Sequence, residues 1–194
     1  MISKRFFKEN PYNEMSAAHF AYISMTVLGN DEVNDKFGDF LRETIDSERA
    51  TALDEEAEKI RSLEDPQEIL SMMKKLNENQ NRSILVKKIL SKEDEVMPLI
   101  LKRYLRIRMD KFIETTARVL YLADEKYTRQ LYEEYEEIAE PYAQAVLCLI
   151  IAMKKIDGME DFLMNEYERF KEDYIGESFS EFPLLGLHLL YDKY

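Results

Sequence analysis

Few residues in this chain carry side chains that could do chemistry, and their spacing limits what that chemistry is. There are two histidines, His19 and His188, and one cysteine, Cys148. A metal centre needs three or four ligands that converge, and neither His-Glu-x-x-His nor Glu-x-x-His occurs. Cys148 lies in the apolar run Ala145-Val146-Leu147-Cys148-Leu149-Ile150-Ile151, where a thiol is a small buried hydrophobe and chemically inert. With one cysteine there is no internal disulfide. Carboxylates abound, as in Glu133-Glu134 and Glu136-Glu137. On a straight helix such pairs are solvated charge, because a calcium loop needs oxygens on a bent loop. No glycine-rich phosphate loop is present. The sequence therefore predicts no catalytic residue, no metal and no cofactor.

Two charge features remain. Lys102, Arg103, Arg106, Arg108 and Lys111 form a basic cluster interleaved with Tyr104 and Phe112, with Tyr121 further on. Lys87, Lys88 and Lys92 precede it and are candidates to join it in space. Such a patch holds an acidic peptide or a nucleic-acid strand, unless it pairs with the acidic stretch from Glu133 to Glu140, which is the expected arrangement. The second feature is that acidic stretch itself. Tyr104, Tyr132, Tyr135 and Tyr167, rimmed by Glu133, Glu136, Glu137 and Glu140, would form a concave protein-binding face, since tyrosine offers large contact area for little lost entropy.

The elements that must position these residues are helices. Apolar residues make up 45% and charged residues 34% of the 194, and only 5 Gly and 5 Pro interrupt them. A sheet protein of this length needs many more turn residues. The spacing predicts a first helix from Pro11 to Gly29-Asn30, apolar all round, and a second with the stripe Val33, Phe37, Phe40, Leu41 and Ile45. Leu53, Ala57 and Ile60 extend that stripe at the same spacing. Asp65-Pro66-Gln67-Glu68 opens another helix with an acid cap, Pro at N1 and Glu at N3. Ile84 to Leu90 is its short partner. Pairs then follow at 97–107 with 110–123, 128–139 with 141–156, and 159–174 with 181–191. Leu99, Leu131 and Leu163 recur about 32 residues apart, as do Tyr135 with Tyr167 and Ile138 with Phe170. In the second helices Ile113, Ala117 and Leu120 align with Ala143, Leu147 and Ile150. A period in the thirties is the mark of stacked helical hairpins. The expected fold is all-α, a right-handed stack of hairpins, with a compact helical bundle as the alternative. One domain spans 1–194, with N-terminal helices in 1–63 and hairpins in 64–194.

Met97-Pro98-Leu99-Ile100, Leu105 and Asp110-Lys111-Phe112-Ile113-Glu114-Thr115-Thr116-Ala117-Arg118-Val119-Leu120 together resemble a HEAT repeat. Pro stands early in the first helix, Asp opens the second, and an apolar residue and Ala follow at successive turns. The resemblance covers 96–124 well and 125–157 loosely. It departs at Glu114, where HEAT repeats commonly carry Arg. What it implies is a HEAT-like α-solenoid, an architecture used mostly for protein binding.

The net charge is −12. A surface of that sign repels phosphate backbones and favours partners with a basic face. The longest apolar run, Ala145 to Met153, is too short to span a bilayer, and Glu9-Asn10-Pro11 interrupts the N-terminus where a signal peptide would be apolar. The function expected is therefore a cytoplasmic protein-binding or scaffolding module without catalytic activity, for example an immunity or inhibitor protein, whose partner has a basic or amphipathic surface. The alternative is a HEAT-like nucleic-acid-binding or DNA-repair enzyme that uses the basic patch. The sequence leaves the oligomeric state open.

Overall fold

A computed structural model describes residues 4–10, 47–76 and 81–191. These residues form ten α-helices and no strand: α1 (Lys4–Glu9), α2 (Ser47–Ser62), α3 (Pro66–Lys75), α4 (Arg82–Ser91), α5 (Glu93–Tyr104), α6 (Asp110–Leu122), α7 (Glu125–Glu133), α8 (Pro141–Met153), α9 (Glu160–Asp173) and α10 (Glu181–Tyr191). The two helices expected over 11–45 lie outside the described residues, as does His19. No helix among the described residues is long and apolar enough to cross a membrane.

Local signals set most boundaries. Asp65 accepts a hydrogen bond from the Gln67 amide at 2.9 Å, with Pro66 at the first helical position of α3. Asp124 caps α7 in the same way, accepting from the Lys126 amide at 2.8 Å. Two elements differ from expectation. α5 begins at Glu93, ahead of the expected start at Met97, so Pro98 lies inside it. Glu93, Asp94 and Glu95 in its first turn suit the positive helix end, which favours the earlier start. α7 runs from Glu125 to Glu133 and gives way to a 3-10 turn at Tyr135–Glu137. Carboxylates at 133, 134, 136 and 137 oppose the negative end of a longer helix.

The helices make two layers. α2, α4, α6, α8 and α10 neighbour one another in that order, and α3, α5 and α7 form the second layer, with α9 following. Within a layer the helices run parallel. Asp94 at the start of α5 meets Lys126 and Tyr127 at the start of α7. Phe182 of α10 meets Tyr142 of α8, with ring centroids 5.7 Å apart. Between layers they run antiparallel, since Lys111 at the start of α6 donates to the Leu76 carbonyl at the end of α3, at 2.7 Å. This is the order of stacked hairpins, and it differs from a bundle, whose helices all face one common core. The array thus has two edges. The turns α5–α6, α7–α8 and α9–α10 form a hairpin edge, and the turns between successive hairpins form a linker edge.

The middle of the array is most deeply covered. α6 is buried from Phe112 to Leu120 and α8 from Ala143 to Ala152, as helices with neighbours on both sides must be. Tyr104 joins the layers by donating to the Ala143 carbonyl at 2.8 Å. At Gly186 of α10 a Cβ would stand 2.8 Å from the Ala152 Cβ, so only glycine permits this approach of α10 to α8. In the second helices Ile113, Ala117, Leu120, Ala143, Leu147 and Ile150 are all buried. The first helices depart from the expected frame: Tyr135 lies in the 3-10 turn beyond α7, whereas Tyr167 lies within α9. α1 packs against the C-terminal end of the array, with Phe6 edge-on to Tyr167 at 5.6 Å and Phe7 to His188 at 4.7 Å. Terminal units of such arrays need a cover of this kind.

Ion pairs and caps close the linker edge. Glu64, before α3, pairs with Lys92 at 2.8 Å and Lys88 at 3.0 Å, both at the end of α4. Glu93 accepts from the Asp124 amide at 3.1 Å, and Lys154 donates to the Leu120, Tyr121 and Ala123 carbonyls at the end of α6. The hydrogen bond from Lys92, then that from Lys88, holds the Glu64 carboxyl at about 2, against 4.5 for a free glutamate. A carboxyl depressed on folding gives stability that is present above its unfolded value and is lost as the pH falls through the folded one. The window is therefore pH 4.5 down to about 2. Carbon-13 NMR titration of the Glu64 carboxyl should give a midpoint near 2 at low salt, and an ordinary midpoint in the K88M/K92M variant. An ordinary midpoint in the unaltered chain would mean the pairs do not persist in solution.

Candidate functional site

The hairpin edge presents the opposite case. In the α5–α6 turn the chain is irregular, and side chains alternate: Leu105 and Ile107 face inward, while Arg106 and Arg108 are exposed. Lys102 and Arg103 are exposed in the last turn of α5, and Met109 precedes α6 with 41% of its surface exposed. Among the described residues Lys102, Arg103, Arg106 and Arg108 have no ion pair. Burial, then the nearby charge of Arg103, lowers the Lys74 ammonium below its ordinary value. Lys111 is already engaged as the cap of α3.

Several expectations need correction here. Lys88 and Lys92 do not join the patch, because α4 ends at the linker edge and both bind Glu64 there. Tyr104 and Phe112 are fully buried and offer no face to a ligand, and Tyr121 is at the far end of α6. The acidic turn is adjacent, since the Ala139 amide donates to the Leu105 carbonyl at 2.8 Å. Yet Glu133, Glu136 and Glu137, all exposed, and the half-buried Glu140 make no ion pair with the basic turn. The backbone contact fixes the two turns side by side while their charges stay in water.

The proposed tyrosine face is also rearranged by burial. Tyr104, Tyr135 and Tyr167 are buried, which removes them from any surface of this chain. Tyr167 donates to Asn10 Oδ1 at 2.7 Å, beneath the chain's own α1. Tyr132 is half-buried, its ring edge-on to Phe162 at 4.9 Å. What remains exposed of that set is the acidic rim.

Behind the rim is a polar network that sequence reasoning missed. Tyr135 donates to Glu166 Oε2 at 2.6 Å, Arg169 Nε donates to the same oxygen at 2.9 Å, and Arg169 Nη2 donates to Gln144 Oε1 at 2.8 Å. Gln144 Nε2 in turn donates to the Ile138 carbonyl at 3.0 Å. The only advance signal was the Glu166–Arg169 spacing on one helix, which any solvated pair shares. Cys148 lies 3.4 Å from the Tyr135 hydroxyl; burial raises its thiol well above the ordinary range, only partly offset by that hydrogen bond. A thiol so held is a poor nucleophile.

No protein-family model, curated protein or solved structure matches this chain. Its site must be judged on geometry alone. Among the described residues no group of three His, Cys, Asp or Glu is placed to hold a metal. His188 is half-buried, with Nε2 3.1 Å from the Asn10 carbonyl. An open groove of about 550 Å³ between α2 and α3 is lined by Ala52, Glu55, Glu56, Lys59, Met72 and Lys75, a mixed polar wall without convergent groups. The hairpin edge combines unpaired exposed charges with exposed Met109 and Ile175 in its turns, while Leu122 is an exposed apolar residue of the linker edge.

Proposed function

We propose that this chain is a cytoplasmic protein-binding module with the architecture of a HEAT-like solenoid, and that it acts by docking rather than by catalysis. The observation that carries this reading is the contrast between its edges. On the linker edge Glu64 is tied to Lys88 and Lys92, and Asp94 to Lys126, whereas the charges of the α5–α6 and α7–α8 turns stand side by side and unpaired. Exposed surface pairs add little stability, so leaving them unmade costs the fold little and keeps them available to a partner. The acidic turn, with Glu133, Glu136, Glu137 and Glu140, suits a partner with a basic or amphipathic face, and such docking is fast and salt-sensitive.

Affinity capture from lysate of the source cell, with cross-linking and elution over a salt gradient, tests the reading. One stoichiometric protein that leaves at moderate salt and cross-links within 133–140 is the expected result. A bare bait, or a protein cross-linked only along the linker edge, would overturn it.

A further inference from the structure

The basic turn has its own consequence, which rests on the reading of the chain as a protein-binding module. We propose that the α5–α6 turn is a receptor for a short acidic segment of a partner protein, with carboxylates on Arg103, Arg106 and Arg108 and an apolar side chain on Met109.

Lys102 and Arg103 have a local reason to be where they are, since cations at the end of α5 complement its dipole. Arg106 and Arg108 do not, because they lie beyond the helix and reach no carboxylate among the described residues. They are held outward by the burial of Ile107 between them. Guanidinium groups directed outward in this way offer forked donors that match carboxylates two at a time. Met109 supplies an adaptable apolar contact beside them, and only a partner with both charge and an apolar residue uses both.

Two observations favour an acidic peptide over a nucleic-acid strand, whose phosphates the same cations would also attract. Single-stranded nucleic acid is held by bases stacked on exposed aromatic rings, and Tyr104 and Phe112 are buried. A strand that continued past the turn would also meet Glu133, Glu136, Glu137 and Glu140, brought alongside by the Ala139–Leu105 hydrogen bond. A segment with about three carboxylates ends before that repulsion begins.

Fluorescence anisotropy of the full chain with a labelled heptapeptide, three glutamates around a central leucine with neutral residues at the other positions, tests this directly. Binding should weaken about tenfold between about 50 and 300 mM salt. The triple variant R103E/R106E/R108E should lose about 10- to 100-fold in affinity while its helical circular dichroism is unchanged, because each exposed pair is worth a factor of a few. M109A should weaken binding about threefold, and so should replacement of the central leucine by serine. Equal binding by the triple variant, no binding by the unaltered chain, or tighter binding of a single-stranded heptathymidylate would each overturn the proposal. If the triple variant loses the peptide but still captures a partner through 133–140, only the basic turn is in question for that partner. If the unaltered chain binds the peptide but captures no protein through 133–140, the reading of the acidic turn as the docking face fails while the acidic-peptide chemistry of the basic turn stands.

Discussion

Glu114→Ala is expected to destabilise the chain by about 3–5 kcal/mol. Glu114 of α6 accepts from Arg82 Nη2 of α4 at 3.0 Å, with side-chain exposures of 11% and 7%. Two charges taken out of water each carry a desolvation cost of several kcal/mol, which their mutual attraction offsets only while both are present. Truncating Glu114 leaves a guanidinium in the interface between neighbouring hairpins. The double variant R82M/E114L removes both charges and fills similar volume, so it should return to within about 1 kcal/mol of the original chain, or exceed it. Urea denaturation followed by circular dichroism measures both. A loss below about 1 kcal/mol for Glu114→Ala would mean that water or the other groups around Arg82 make good the lost carboxylate.

The second large effect concerns the network behind the acidic turn. Glu166→Ala leaves the Tyr135 hydroxyl without its acceptor and removes the carboxylate on which Arg169 converges. Arg169 retains Gln144 and 32% of its side-chain exposure, so the cost is set mainly by the buried hydroxyl and is about 2 kcal/mol. The Glu166→Gln variant keeps an acceptor for Tyr135 and should recover about half of it. The more telling readout is local. Tyr135 anchors the 3-10 turn that presents Glu136 and Glu137, so Glu166→Ala should speed hydrogen exchange of the 134–140 amides well before global unfolding. Unchanged exchange there would show that the Ala139–Leu105 and Gln144–Ile138 hydrogen bonds hold the turn without it.

These two predictions come from residues of quite different legibility. Helix ends were readable where they depend on neighbours in the chain: Asp65-Pro66 and Pro141 act through their own backbone or that of the next few residues. The apolar run around Cys148 announced its burial for the same reason, since a helix apolar on every side must have neighbours on every side. Pro98 misled, because a proline early in a helix marks its start only when nothing favourable precedes it, and three acids do.

The candidate site was legible as a set of charges and not as a surface. Sequence alone determined that the chain is helical, that 102–111 is basic and that 133–140 is acidic, because composition and period act along one dimension. Only the tertiary structure decided which of these groups meet. Lys88 and Lys92 are close in sequence to Lys102, yet antiparallel packing sends them to the other edge, and Arg82 finds Glu114 one hairpin later. Tyr135 and Tyr167 share a spacing with surface tyrosines, and their hydroxyls are drawn inside because Glu166 and Asn10 are there to receive them. A polar side chain is buried or exposed according to what the neighbouring layer offers it, and that layer comes from residues tens of positions away.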